Sequence, residues 1–400
     1  MRILVFTSLF PNSQRPDFGI FIFQRISHLA QRPGTTVQVV APVPYFPSWI
    51  RSSRWGKYSR LPYEERVENL SVYHPRYPLL PGLFMPLHGF LMFIGSLLLV
   101  RRLHRQFRFD CIDAHYVYPD GFAAVLLGKM LGLPVFVSAR GTDINVFPRF
   151  RCIRPLIISS LRKAAGIVAV SSALKNAMVE LGLPAGKIRV IPNGVDTIRF
   201  HPIPQHEARQ NLGLPQNVKV IVSVASLTEG KNHAVLISSF AKMLGDSRIA
   251  KLFLIGEGPE RTVLQELIGK LRLEENVILV GAKPNQELAS WFSAADVSCL
   301  VSLREGWPNV IMESIACGTP VVATMVGGVP EIIHSSELGV LTEQDSDSIA
   351  AALESALAKT WDREALALHA RSRGWAEVAG EAEQYLASQM QASELPRARS

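Results

Sequence analysis

Two glutamates, one lysine and a glycine turn are the residues whose types and spacing could hold a ligand. Glu305 and Glu313 lie eight positions apart in Leu303-Arg-Glu-Gly-Trp-Pro-Asn-Val-Ile-Met-Glu-Ser314, just after the apolar run Val297–Leu300. If that stretch rises as a helix, the two acids span about 12 Å. Pro308 suits a first helical turn. Exposed amides at such a helix start, with Gly306 letting backbone come close, suit a diphosphate. A carboxylate at each end would accept from sugar hydroxyls, so the whole matches a hexose and a ribose joined through a diphosphate. Ile255-Gly256-Glu257-Gly258-Pro259 closes another strand with a turn that a ligand can approach. Lys231 leaves the strand Lys219–Val224 through Ala225-Ser226-Leu227-Thr228 and can act as a point charge on phosphate. Taken singly, each has a bland reading: a solvated loop acid, a helix-surface acid, an ordinary strand end, a surface lysine.

Positioning these residues takes a particular alternation. Ile3-Leu-Val-Phe6 reads as a buried parallel strand running into a polar loop, followed by a helix over Phe21–Gln31 with Ile22, Ile26 and Leu29 on one face. A second strand is expected at Val37–Ala41, and later ones at Cys111–Ala114, Val135–Ser138 and Gly166–Val170 are each followed by a loop and a helix. The rhythm restarts beyond Asn193-Gly194-Val195-Asp196, with strands at 219–224, 251–255, 277–280, 297–300 and 320–324. Such alternation implies parallel sheets covered on both faces. Pro192–Pro204 is the expected boundary. The expected domains are residues 1–195, 196–375, and a C-terminal helix and tail over 376–400 that packs back on the first domain. Beyond Glu343 the chain reads as helical, and after Ala387 as a polar, frayed tail. Two doubly wound Rossmann-like halves facing each other across a cleft would bind ligands at the C-terminal ends of both sheets.

Composition narrows the classes. The 400 residues are 48% hydrophobic and 19% charged, which excludes a disordered, collagen-like or coiled-coil chain. Cys111, Cys152, Cys299 and Cys317 form no C-x-x-C pair, so neither a disulfide scaffold nor a zinc site is expected. The first strand–loop lacks G-x-G-x-x-G, which weakens an oxidoreductase reading. Residues 1–200 carry a charge balance of +15 and residues 201–400 one of −7, within a net +8. A nucleic-acid binder would be basic throughout; one basic half suggests an anionic surface or substrate met by one domain. With Arg2-Ile-Leu-Val-Phe6 opening the chain directly, a cytoplasmic protein is expected.

In combination, Glu305-x7-Glu313, the Gly256–Pro259 turn, Lys231 and Gly327-Gly328-Val329-Pro330-Glu331 resemble the retaining, GT-B-type nucleotide-sugar glycosyltransferases of family four. Asn193-Gly194-Val195-Asp196 resembles that family's linker signature and Phe18-Gly19-Ile20-Phe21 its first-domain loop. The opening phrase through Pro11 is similar to members that build bacterial surface polysaccharides. The resemblance implies catalytic roles for Glu305 on the transferred sugar, Lys231 on the diphosphate and His115 near donor sugar and acceptor. It places Gly19, Ser226, Gly256, Gly258, Pro259, Arg261, Gly306, Asn309, Val310 and Glu313 around the donor, with Glu313 on the ribose. Arg140-Gly141-Thr142-Asp143 resembles the acceptor-side loop, where Arg140 would pair with an anionic acceptor. The implied partners are a nucleoside-diphosphate sugar and a saccharide or lipid-linked acceptor, with net retention of configuration.

One departure stands out. Family members commonly place an arginine on the diphosphate five residues before the lysine, and this chain has Ser226 there. A serine cannot supply that bidentate contact, so the charge must come from Lys231, the helix start or another arginine. No Asp-x-Asp signature of a metal site is read and no metal or cofactor is expected; preorganised positive charge would stabilise the leaving nucleoside diphosphate. Two rival readings stay open: a sugar-nucleotide epimerase of the same fold, and a non-catalytic sugar-nucleotide-binding subunit of a membrane assembly.

Leu79–Val100 is the most apolar stretch, followed by Arg101-Arg102-Leu103-His104-Arg105. Pro81 and Pro86 leave roughly 14 residues of clean helix, short for a crossing. A buried helix, a helix lying at a membrane surface and a span are all readings of it. Arg51, Arg54, Lys57 and Arg60, interleaved with Trp49, Trp55 and Tyr58, form a second candidate for anionic lipid headgroups. Peripheral attachment at the inner face of the plasma membrane, through the basic first domain, is the expectation.

Overall fold

The computed structural model describes residues 1–45, 58, 60–79, 85–245 and 250–394. They form two compact units, Met1–Asn193 with the C-terminal helix Trp375–Glu394, and Gly194–Gly374.

In the first unit, the described residues form a sheet of eight strands: β1 (Arg2–Phe6), β2 (Thr36–Val40), β4 (Glu64–Val67), β5 (Leu70–Tyr73), β7 (Cys111–His115), β8 (Val135–Ala139), β9 (Gly166–Ala169) and β10 (Ile188–Val190). Their order is β10-β9-β8-β7-β1-β2-β5-β4, and every pairing is parallel except β4 with β5. A small parallel pair, β3 (Val43–Tyr45) with β6 (Arg76–Pro78), stands apart. Ile3, Leu4, Val5 and Phe6 are all fully buried because helices cover both faces, which is why β1 reads as an unbroken apolar run. The helix Ile20–Ala30 buries Ile22, Phe23, Ile26 and Leu29 in that core. It starts from Gly19 in the left-handed region at φ 70°, where a Cβ would stand 2.4 Å from the Leu9 carbonyl.

The apolar stretch becomes the helix His88–Phe107, longer than the roughly 14 residues expected because Arg101–Phe107 continues it. It is not fully buried. Met92, Ser96, Leu99, Val100 and Leu103 face the unit, while Leu87, Phe90, Ile94 and Leu98 face outward, Leu98 at 79% exposure. Gly89 and Gly95 bring it tight against Phe122 and against Arg76 and Tyr77. Among the described residues, only Met85–Phe107 is long and apolar enough to cross a membrane by length and composition, and here it is a layer of the unit. The segment with Trp49, Arg51, Arg54, Trp55 and Lys57 lies outside the described residues.

The C-terminal helix is continuous to Glu394, not frayed after Ala387. Ala379 and Leu386 are fully buried among Ile3, Ile22 and Val37, which is the packing that keeps it ordered. The Tyr385 hydroxyl accepts from the Ile167 amide at 3.2 Å.

The second unit is a six-stranded parallel sheet, again among the described residues: β11 (Lys219–Val224), β12 (Ala250–Ile255), β13 (Val277–Gly281), β14 (Val297–Leu300), β15 (Val321–Thr324) and β16 (Gly339–Thr342). The order β13-β12-β11-β14-β15-β16 reverses direction between β11 and β14. In the first unit, the same reversal falls between β1 and β7. Loops leaving neighbouring strands at such a point diverge to opposite faces and open a crevice between them.

Candidate functional site

In the second unit, the loops leaving β11 and β14 bring Lys231 and Glu305 together. The Lys231 ammonium donates to Glu305 Oε1 at 2.5 Å. The Leu303 amide donates to the Gly230 carbonyl at 2.9 Å, fixing the two loops to each other beside that pair. Glu305 sits on the turn before the helix Asn309–Ala316, and only Glu313 lies on the helix. The two acids are therefore not separated by helical rise throughout, because the helix starts only at Asn309, after an extended Pro308.

The glycine turn after β12 is pressed against the β11 loop. A Cβ on Gly256, at φ 155°, would stand 1.9 Å from the Ala225 carbonyl, and one on Gly258 would stand 2.1 Å from that of Leu227. The Leu227 amide donates to the Glu257 carbonyl at 3.0 Å, and the Glu260 amide to the Leu227 carbonyl at 3.0 Å. Pro259 lies in this turn, and Arg261 opens the next helix, pairing with Glu257 at 2.9 Å and reaching the Leu279 carbonyl. Ser226 is exposed on the β11 loop with its hydroxyl 3.5 Å from that of Thr228. Cationic side chains on this edge are thus Lys231, Arg261 and the exposed Arg304.

Glu313 is partly buried, and burial pushes its pKa up to about 7; Arg199 pulls it down and Asp196 adds to the rise. His233, buried at the foot of the Lys231 turn, is pushed down to about 4 by desolvation against a backbone contact from Ser226, with Lys231 adding to the fall. It stays neutral beside the lysine.

In the first unit, the loops leaving β7 and β8 carry His115 and Arg140. His115 is wholly buried. Its Nδ1 accepts from Arg140 Nη2, which leaves the ring proton on Nε2, 3.2 Å from Asp113 Oδ2 but outside hydrogen-bond alignment. Desolvation pushes His115 down to about 4, against the nearby Asp113 charge, so the imidazole is neutral at physiological pH. Burial would raise Asp113, yet Arg25, His115 and Arg140 hold it at about 2. Arg25 pairs with Asp113 at 3.1 Å and donates to Ser138 Oγ at 3.0 Å. Arg140 also donates to Asn193 Oδ1 at 3.0 Å and lies 5.4 Å over the Phe21 ring. Phe21 follows Gly19 by two residues, so the Gly19 loop and Arg140 meet. Asp143 is buried and accepts from the amides of Val117, Arg140 and Gly141 at 2.8–3.2 Å, so its carboxylate shapes the loop.

Sequence reasoning passed over Arg25 and Asp113. The signal was a lone arginine on the buried face of the helix carrying Ile22 and Ile26, and a lone aspartate in a fully buried strand. It also passed over Asp345-Ser346-Asp347, which has Asp-x-Asp spacing. There Asp345 caps the helix Ser346–Ala358 through the amides of Asp347 and Ser348, and Asp347 pairs with Lys242 at 2.6 Å. Among the described residues, no cluster of three or more His, Cys, Asp or Glu side chains could hold a metal ion.

Two doubly wound units, one of them with an acid–lysine pair at its switch point, are the architecture of a GT-B glycosyltransferase. Residues 26–199 match the family described as Glycosyltransferase Family 4 and residues 204–373 the one described as Glycosyl transferases group 1. The chain belongs to the glycosyltransferases built from this pair of domains, and it is a transferase. Among relatives, TuaC of Bacillus subtilis (strain 168), a glycosyltransferase assigned by name to teichuronic acid biosynthesis, is 28% identical over 359 residues, 88% of each chain. Sucrose-phosphate synthase from Thermosynechococcus elongatus shares the fold with a TM-score of 0.77 at 19% identity, covering 98% of this chain and 99% of its own. HepE of Anabaena, solved in complex with UDP-glucose, gives a TM-score of 0.72 at 20% identity, covering 97% and 99%.

Proposed function

We propose that this chain is a retaining glycosyltransferase that moves a sugar from a nucleoside-diphosphate sugar to a saccharide or lipid-linked acceptor at the cytoplasmic face of a membrane. The observation that carries the donor half of this reading is the Lys231–Glu305 pair. A diphosphate entering beside Lys231 takes over the ammonium, and the freed Glu305 carboxylate accepts from a hydroxyl of the transferred sugar. The start of the helix Asn309–Ala316, with Gly306 before it and the backbone of Asn309 and Val310 in its first turn, faces the phosphates, and Glu313 accepts from the ribose. The Gly256–Pro259 turn and Arg261 border the nucleotide. As the glycosidic bond breaks, negative charge grows on the leaving diphosphate, and fixed positive charge lowers that barrier without a metal. In the first unit the Gly19 loop, His115, Arg140 and Asp143 form the acceptor side. His115, neutral and buried, works there through the guanidinium it orients.

The membrane part rests on charge and on one helix face. The outward residues Leu87, Phe90, Ile94 and Leu98 are followed by exposed Arg101, Arg102 and Arg105, the pattern of a helix lying in a bilayer interface. The test of the whole reading is release of free nucleoside diphosphate, with UDP-glucose as the first donor tried, upon addition of membrane-extracted acceptor. Turnover that does not depend on acceptor, or none with any nucleotide sugar, would overturn it.

A further inference from the structure

The first unit contains an apolar cavity that the donor chemistry does not use. It measures about 380 Å³, within the range of small-molecule sites. Phe10, Phe18, Val43, Tyr77, Leu79 and Met85 line it, at the end of the unit's sheet where the β1 loop, β3 and β6 meet the start of the apolar helix. Ser8 and Pro119 place it beside the β1–β7 switch point.

The polar groups on its wall decide what it can hold. Asn12 donates to the Phe10 carbonyl at 3.3 Å and accepts from the amides of Gln14 and Arg15. His74 spends one ring nitrogen on the Ala41 carbonyl at 3.0 Å and the other on Glu65 at 2.8 Å. The Ser8 hydroxyl donates to Asp120 at 3.1 Å, and its amide donates there too. These three groups are committed to the protein itself, and Tyr58, which lines the wall with Tyr77 and His88, accepts from Arg15 at 3.3 Å. A sugar ring placed here would bury hydroxyls with few partners, which is costly. A hydrocarbon chain would meet the wall without that cost. Met85 and His88 on its wall also begin the helix whose outward stripe runs through Leu87, Phe90, Ile94 and Leu98 to exposed Arg101, Arg102 and Arg105. The helix that walls the cavity thus also carries a surface suited to an anionic amphiphile.

We propose that this cavity seats the hydrocarbon part of a lipid-linked acceptor, with the lipid's phosphate held outside it. This rests on the reading of a membrane-borne acceptor and narrows it: the lipid, not only the saccharide, is recognised by the protein.

Farnesyl phosphate, kept below its aggregation threshold, is the probe, and calorimetry on the full chain is the readout. Saturable binding is expected, weakened at least about tenfold by Leu79→Asp and by Met85→Asp. Met85→Leu should bind like the parent, and UDP affinity should be the same in all three variants, which reports intact folding of the second unit. Melting curves report the first. Binding of farnesyl phosphate that is equal in parent and Asp variants overturns the proposal. So does full competition by inorganic phosphate, or binding of maltotriose at the same site in place of the lipid. If farnesyl phosphate binds as expected but no acceptor releases nucleoside diphosphate, the transferase reading fails and the lipid site stands. If transfer proceeds unchanged in the Asp variants, the lipid site fails alone.

Discussion

Gly327 is pressed against the backbone of Glu305: a Cβ on Gly327 would stand 1.9 Å from the Glu305 carbonyl oxygen, and its φ is +52°. The loop after β15 therefore props up the turn that presents the acid. Gly327→Ala should cost stability by about 1–3 kcal/mol and lower transfer, since the added carbon must push the Glu305 turn aside. Gly230→Ala, with open space around it, is the matched control and should melt near the parent. Equal melting and equal turnover of the two variants would show that the support is not needed.

Glu305→Gln and Glu313→Gln should each weaken donor use, because each removes a charged acceptor worth roughly 1.5–3 kcal/mol in a good hydrogen bond. The first should fall mainly on turnover and the second on donor affinity. Transfer at parental rate by both would reject the site.

Glu313 adds a pH signature. Its folded pKa of about 7 lies above the ordinary glutamate value, so the folded state holds its proton more tightly than the unfolded chain. That favours folding at low pH and is lost as pH rises toward 7, where the ionised form must be buried. Glu313→Gln should thus melt above the parent at pH 8, with the gap closing at pH 5, while its donor affinity stays below the parent's at pH 8. A melting difference independent of pH would contradict the assigned cause.

Lys231 should carry more of the diphosphate charge here than where an arginine stands at position 226. Lys231→Ala is expected to abolish measurable transfer, and Ser226→Arg should be tolerated because Ser226 is exposed. Calorimetry showing unchanged nucleotide affinity in Lys231→Ala would sink this assignment.

Attachment to bilayers should prefer anionic vesicles, since each engaged lysine or arginine contributes roughly 1 kcal/mol within a Debye length. Ile94→Glu and Leu98→Glu should then lower flotation with vesicles, as both side chains point outward. Release by high salt marks a charge-held enzyme, and release only by detergent marks an inserted face. Equal partition onto neutral and anionic vesicles would reject the electrostatic account.

Parallel strands buried on both faces, such as Ile3–Phe6 and Val297–Leu300, were legible as short apolar runs. The β3–β6 pair and β16 were not, because Val43–Tyr45 and Arg76–Pro78 carry prolines and Gly339–Thr342 follows a polar turn. Lys231 and Glu305 could be named from their motifs, but their contact depends on β11 and β14 being neighbours, a non-local pairing that no window of sequence contains. The burial of His115 was likewise hidden, since Arg140 reaches it, and Arg25 reaches its neighbour Asp113, from distant positions.

The C-terminal helix has a consequence for how the protein is made. Ala379 and Leu386 complete the core around Ile3 and Ile22, so the first unit lacks part of its interior until residues 375–394 have been synthesised. At roughly 5–20 residues per second, the intervening segment alone takes on the order of 10–40 s to synthesise. At its end the second unit's own residues are complete, while the first unit still lacks the side chains that fill its core. The order of completion during translation is therefore the reverse of the order of synthesis.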